Sequence, residues 1–315
     1  RTVLSGKWHL GYEPKFSPVA HGFDESFGPN AGGVDYFHHT EWDGGPALFE
    51  NGRPVQREGY LTGLITDFAV RAIGRRDDPR PLFLYLPYTA PHTPYQGPGD
   101  KRAAPVLEPD WNTGTRATYA AMVQSLDDGV GRILRALEQR GLRDEALVIF
   151  MSDNGGTALA NSGRYSGTKG TLYEGGLRVP CLMRWPGRLP AGTTTDQTAI
   201  TMDFTRSILR VAGAEPQAAG RLDGLDIVAH VAARDADTAR TLFWRYRRGE
   251  STWRSALEGD LKLIHRQEDA TLKRELFDLA ADPAEKLERL TERPRDADRL
   301  ESALQAWQMD VKPIR

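Results

Sequence analysis

Short apolar runs and helix-period stretches alternate along the first part of the chain. Pro81–Leu86, Ala146–Met151 and the run around Cys181, Val179–Trp185, are nearly continuous in hydrophobic residues. Their length and continuity predict strands buried on both faces. Between the first two, Tyr119, Met122, Val123, Leu126, Val130, Ile133, Leu134 and Leu137 recur at helical spacing. They define one apolar face of a helix, which Gly141 ends. Leu61, Ile65, Phe68 and Ala72 predict a shorter helix before the first run; Phe204, Ile208 and Val211 predict another after the third. Strands alternating with helices predict an α/β domain with a mostly parallel sheet.

The pattern changes after about residue 214. Sequence rich in Ala, Gly and charge leads to shorter β-like pieces at Thr241–Tyr246, Leu261–His265 and Glu275–Asp278. Leu287 and Leu290, then Leu300, Leu304 and Trp307, predict closing helical turns. We divide the chain accordingly into residues 1–222 and a smaller α+β subdomain, 223–315, of antiparallel sheet plus helix. The charged stretch Asp282–Arg299 reads as a solvated helical face.

Composition narrows the function classes. The 315 residues carry 41 basic and 43 acidic side chains, a balance that gives no general attraction to nucleic acid or to an anionic membrane. Selectivity for an anion must therefore come from locally placed groups. Seven Trp and ten Tyr suit a ring-accepting cleft or an ordinary core. The single cysteine, Cys181, excludes an internal disulfide and a thiolate metal cluster; its apolar neighbours predict a buried structural thiol. No run approaches the roughly 18–20 apolar residues of a membrane span.

Four segments could carry chemistry. In Gly6-Lys7-Trp8-His9-Leu10-Gly11 an extended backbone would put Lys7 and His9 on one face and Trp8 on the other. A fixed cation beside a titratable imidazole suits an anionic group whose charge changes during reaction. Thr89-Ala90-Pro91-His92-Thr93-Pro94-Tyr95 follows the first apolar run and holds His92 between two prolines. Ser152-Asp153-Asn154-Gly155-Gly156 follows the second, at the strand end where α/β proteins collect ligands. Asp153 and Asn154 offer hard oxygen donors of the kind Ca²⁺ or Mg²⁺ takes, and the same residues make a good turn. In Gly167-Thr168-Lys169-Gly170 the glycines would let Lys169 approach an oxyanion as a point charge. Glu174 and Arg178 read as an internal pair bracing this loop. Tyr36, Phe37, His38, His39 and Trp42 either form a cleft rim whose rings stack on a substrate or simply pack their loop; His21, His230 and His265 read as structural.

In this order and spacing the four segments resemble the type I sulfatases of the alkaline-phosphatase-like superfamily. Tyr173-Glu174-Gly175-Gly176-Leu177-Arg178-Val179-Pro180, Gly22-Phe23-Asp24-Glu25, Glu275-Leu276-Phe277-Asp278-Leu279 and Asp282-Pro283-Ala284-Glu285 extend the likeness over the whole chain. The resemblance implies an alkaline-phosphatase-like α/β fold and hydrolysis of a sulfate ester on an aryl or carbohydrate substrate. It implies a formylglycine, matured from a Cys or Ser by a dedicated enzyme, whose hydrate attacks sulfur beside a bound Ca²⁺, with Mg²⁺ as the alternative ion. Carried over by position, Asp153 and Asn154 become metal ligands, and Lys7 holds the formylglycine and a sulfate oxygen. His9 takes a proton from the hydrate. His92 and Lys169 face the sulfate and the departing oxygen.

Two family elements are missing: the Asp-Asp pair of metal ligands that normally ends the first strand, and a Cys/Ser-x-Pro/Ala-x-Arg motif. In the family both precede the Gly-Lys-Trp-His segment, so the expectation is a sulfatase catalytic domain lacking its N-terminal part, inactive as it stands. Export to periplasm, exterior or lysosome is implied by the family alone. A phosphoester or phosphonate monoester hydrolase of the same superfamily, or a binding homologue without catalysis, are the competing functions.

Overall fold

The computed structural model describes residues 1–214, 220 and 222–311; the onset of the Ala- and Gly-rich stretch lies partly outside them. The chain forms two compact units, Arg1–Ala146 and Leu147–Arg315. This division lies upstream of the one drawn at residue 222 from composition.

The first unit contains β1 (Thr2–Ser5), β2 (Glu25–Pro29), β3 (Leu48–Glu50), β4 (Arg53–Pro54), α1 (Leu61–Gly74), β5 (Phe83–Tyr85) and α2 (Arg116–Gln139). Its sheet runs β4-β3-β2-β1-β5. β1 is parallel to both β2 and β5, whereas β3 and β4 add on antiparallel. Side-chain alternation decides the core. Val3, Phe27 and Leu84 join α1 residues Leu61, Ile65 and Phe68 and Met122 of α2 in one cluster. The Ser5 hydroxyl donates to the Ile65 carbonyl at 2.7 Å and fixes the end of β1 on α1. The periodicity reading of both helices holds. Thr115 caps α2 by accepting from the Thr118 amide, and Gly141, at φ 73°, lets the Leu142 amide close back on the Leu137 carbonyl.

The expectation of burial on both faces fails at β5. Leu84 packs inward, but Phe83 and Tyr85 are 40% and 49% exposed. They project from the sheet face opposite the helices.

The second unit contains β6 (Val148–Met151), α3 (Glu174–Leu177), β7 (Cys181–Arg184), α4 (Thr201–Val211), α5 (Ile227–Ala233), β8 (Thr241–Arg248), β9 (Ser251–Glu258), β10 (Leu261–Glu268), β11 (Thr271–Asp278) and α6 (Pro294–Asp310). β6 and β7 pair antiparallel, and among the described residues no further strand flanks them. Cys181 is consequently exposed rather than buried. Partial burial still pushes its thiol above the ordinary value, so it is a poor nucleophile.

The strands β8 to β11 form an antiparallel meander whose two-residue turns begin with Gly249, Gly259 and Asp269, each at positive φ. β9 was not foreseen from sequence, because Ser251-Thr252-Trp253-Arg254-Ser255 breaks any apolar run. α6 covers one face through Leu300, Leu304 and Ala297, against Ala256, Leu263 and Leu276. The charged stretch before it corrects the sequence reading. Residues 282–293 are turns rather than a solvated helix, and Glu285 within them is buried.

Candidate active site

In the first unit the chemistry gathers beyond the carboxyl ends of the parallel strands. Lys7 and His9 do not continue β1 as an extended strand. The backbone bends at Gly6 (φ 137°) and again at His9 (φ 55°), so simple alternation does not set their directions. Neighbouring chains stitch the segment in place. The Gly6 amide donates to Phe27 O, Lys7 to Pro87 O, Trp8 to Pro29 O and His9 to Asn30 O, at 2.7–3.2 Å. Gly6 is obligatory here, because a Cβ would lie 2.1 Å from the Pro87 carbonyl oxygen. The Trp8 indole donates to Phe16 O and packs beside His21 and Phe23, which anchors the middle of the segment.

His92, after β5, reaches the same loop as His9. A Cβ on Gly32 would sit 2.6 Å from His9 Cε1 and Nε2, and one on Gly33 would sit 3.4 Å from His92 Nδ1. Two consecutive glycines therefore provide the space for both imidazoles. His92 Nδ1 lies 3.0 Å from the Thr93 carbonyl oxygen, which accepts only from a protonated nitrogen. That contact assigns a proton to Nδ1. Tyr36, wholly buried, donates from its hydroxyl to the His92 carbonyl at 3.1 Å, and its amide donates to Gln96 Oε1.

Tyr36 and His39 thus correct the rim reading: both are buried supports, whereas Trp42 is 55% exposed and His38 partly so. Asp35 holds this loop together, accepting from the amides of Phe37, His38 and Val106 and from Gln96 Nε2. Burial raises its pKa, but those amides and His38 outweigh burial and hold the carboxyl below its usual range.

In the second unit the structure joins Asp153, Asn154 and Lys169. The turn after β6 is closed by Ser152 Oγ donating to the Asn154 carbonyl. The Gly155 amide donates to Gly176 O, the Lys169 amide to Gly156 O and the Gly175 amide to Ser166 O. Side chains at Gly155, Gly175 or Gly176 would collide with backbone at 1.9–2.3 Å, so this lacing requires glycine. Asp153 and Lys169 are exposed.

A buried charge cluster anchors the same loop. Lys262 Nζ, fully buried on β10, lies 2.8 Å from Glu174 Oε1 and 2.9 Å from Glu285 Oε1. Arg178 Nε donates to Glu174 Oε2, and Glu285 Oε2 accepts the Glu174 amide. The bracing role foreseen for Glu174 and Arg178 is present. Lys262 and Glu285 were missed; the only signal was a lysine interrupting an apolar strand. Burial pushes both carboxylates up, and the neighbours split them. Lys262 and Arg178 bring Glu174 below its ordinary value, while Lys262 does not fully offset the burial of Glu285, which stays above it.

Among the described residues no group of three or more His, Cys, Asp or Glu could hold a metal ion. Asp153 and Asn154 are oxygen donors of the right chemistry for Ca²⁺, but too few alone for an ion that takes six to eight ligands.

The family model described as Sulfatase matches residues 1–214, and that of the N-sulphoglucosamine sulphohydrolase C-terminal region matches residues 166–309. N-acetylgalactosamine-6-sulfatase of Canis lupus familiaris is 33% identical over 244 residues, covering 71% of this chain and 45% of its own length. The chain therefore spans about half the length of the curated relatives it matches. The crystal structure of Ps i-CgsB, also solved with k-i-k-neocarrahexaose, superposes with a TM-score of 0.85 at 28% identity, covering 99% of this chain and 72% of that one. BT4656, solved with its substrate D-glucosamine-2-N,6-O-disulfate, superposes with a TM-score of 0.74 at 21% identity, covering 98% and 79%.

Proposed function

The chain belongs to the sulfatase family, and from that premise we propose that the protein it forms hydrolyses a sulfate ester carried by a carbohydrate. The observation that carries this reading is the meeting of His9 and His92 over Gly32 and Gly33, beside Lys7, at the carboxyl ends of parallel strands. The sugar ligands of Ps i-CgsB and BT4656 support a carbohydrate over a simple aryl sulfate.

In this reading the Lys7 ammonium holds a sulfate oxygen as the S–O bond breaks and stabilises charge at a preorganised position, and Lys169, in its own unit, is a second cation suited to an oxyanion. His9 accepts the proton that must leave the attacking group. His92, in its doubly protonated form with Nδ1–H on the Thr93 carbonyl, would give its Nε2 proton to the departing alkoxide oxygen. Asp153 and Asn154 would supply two ligands to Ca²⁺, or to Mg²⁺, which when bound acts as a Lewis acid toward the sulfate. A formylglycine hydrate, where present, would supply the attacking oxygen.

The test compares a sulfated monosaccharide, an aryl sulfate and a phosphate monoester on the full-length protein. Sulfate turnover that falls at least about 100-fold in His9→Ala is expected, general acid–base groups contributing about 10²–10⁴-fold. A preference for the phosphate ester would establish the phosphoester or phosphonate reading instead, and no turnover with intact metal and nucleophile would establish a binding homologue.

A further inference from the structure

The antiparallel sheet of the second unit sorts its side chains by row on the face that carries α6. Directly paired residues share a face, so each row can be read from the register. The row Thr241–Glu258–Leu261–Asp278 carries the acids, and arginines on or beside α6 neutralise them: Arg299 pairs with Glu258 and Arg293 with Asp278. The next row on this face, Phe243–Ala256–Leu263–Leu276, is apolar and lies under α6. The row after it, Arg245–Arg254–His265–Arg274, carries an arginine on three strands and, on β10, an imidazole buried beneath α6.

Like charges placed directly opposite one another on neighbouring strands are destabilising. Here three guanidiniums stand in one line with an imidazole, and compensation from the protein is sparse. Glu301 of α6 reaches His265 at 2.7 Å, and Arg245 lies 5.9 Å from the Trp307 ring. Arg254 Nε is buried without a hydrogen-bond partner. Arg245 and Arg274, at the two sides of the sheet, are exposed. At strand spacings of about 4.8 Å the row spans roughly 14 Å.

We propose that this row is a binding site for a sulfated polysaccharide chain, apart from the residues assigned to hydrolysis. Guanidinium forks match the oxygens of a sulfate group two at a time, which favours arginine over lysine for such a contact. A linear polyanion laid along the three arginines would supply counter-charge that the described residues do not. Nucleic acid fits less well: Trp307 is stacked on Phe243 at 5.3 Å, so the row has no open ring to receive a base. The choice of a sulfated ligand rests on the sulfatase reading; the charge geometry does not.

The test uses the full chain, with dextran sulfate as probe, unsulfated dextran as control and a short DNA duplex as the competing polyanion. Arg254→Gln with Arg274→Gln should weaken dextran sulfate binding about ten-fold at moderate salt, and the doubly Lys-substituted protein should recover most of it. The Gln double variant should melt no lower than the parent, because it removes opposed like charges; this separates lost binding from lost folding. Unchanged affinity in the folded variant, equal binding of plain dextran, or tighter binding of DNA would each overturn the proposal. Hydrolysis of a small aryl sulfate, measured alongside on the full-length protein, should not change in the variant. If that hydrolysis is absent while dextran sulfate binding still drops, the sulfatase reading falls and the polyanion site stands.

Discussion

The two loops that carry the candidate chemistry are held by different forces. Around His9 and His92 the holding is mostly neutral: amide-to-carbonyl stitches, a buried tyrosine hydroxyl and glycines that leave room for rings, with the buried Asp35 carboxylate tying the loop behind them. Around Lys169 it is ionic, with a fully buried lysine shared between two glutamates. Both arrangements present a cationic or proton-transferring group at a fixed position. The first depends mainly on shape and feels pH through Asp35 alone of the groups just described, whereas the ionic one depends on the matching of several buried charges.

The strongest way to break the comparison is Lys262→Met. It leaves Glu174 and Glu285 buried without their shared counter-ion, and breaking a buried pair in this way costs about 3–5 kcal/mol. Chemical denaturation should register that loss. Adding Glu174→Gln and Glu285→Gln should recover most of it, because it is the unmatched charge rather than the missing bond that destabilises. A triple variant as weak as the single one would refute the ionic account.

Gly32→Ala probes the neutral side. The new Cβ would press on the His9 ring at 2.6 Å, and the ring, being exposed, can swing away with little cost to stability. Turnover of a sulfate ester by the full-length protein should nevertheless fall about 100-fold, as a misplacement near 1 Å does. A rate within a few-fold of the parent would show that the ring position over Gly32 is not the reactive one.

Acidification should separate the two glutamates. Glu174 titrates below its unfolded value, so its contribution is present in full above the ordinary carboxylate range and is lost as pH falls through its folded pKa. Glu285 is raised, so its ionisation weakens the folded state as pH rises through its folded pKa. At neutral pH Glu174→Gln should therefore cost about 1.5–3 kcal/mol, and Glu285→Gln clearly less. As pH falls below the ordinary carboxylate range the gap should narrow. Melting curves of both variants from neutral to acid pH decide this, and an equal cost at neutral pH would contradict the assignment.

The sequence made the long helices and two of the strand-following loops legible, because both depend on local pattern. α1, α2 and α4 follow from apolar spacing, and His92 and Asp153 do follow β5 and β6. What it could not supply were facts set by distant partners. Lys262 looks like an interruption of a strand until Glu174 and Glu285 meet it. Tyr36 looks like a rim aromatic until its hydroxyl finds the His92 carbonyl. Cys181 and Phe83 read as core because apolar continuity says nothing of whether a second layer covers the strand. The row of arginines needed the register of all four strands.

Tyr36→Phe tests the neutral loop by the smallest change. It removes one buried hydroxyl that donates to the His92 carbonyl at 3.1 Å, keeps the ring stacked on Tyr60, and adds no charge. Losing such a bond should cost about 0.5–1.5 kcal/mol. Burial pushes the Tyr36 hydroxyl well above its ordinary value, so it stays protonated throughout the working pH range. The stability penalty should therefore be the same at acid and at alkaline pH, in contrast to the Glu174 and Glu285 variants, whose penalties move with it. The His92 backbone loses a support, not the contact between Nδ1 and Thr93, so kcat should fall by a few-fold with KM unchanged. A penalty that tracks pH would mean that the His9–His92 loop also leans on charge, and the distinction between the two loops would collapse.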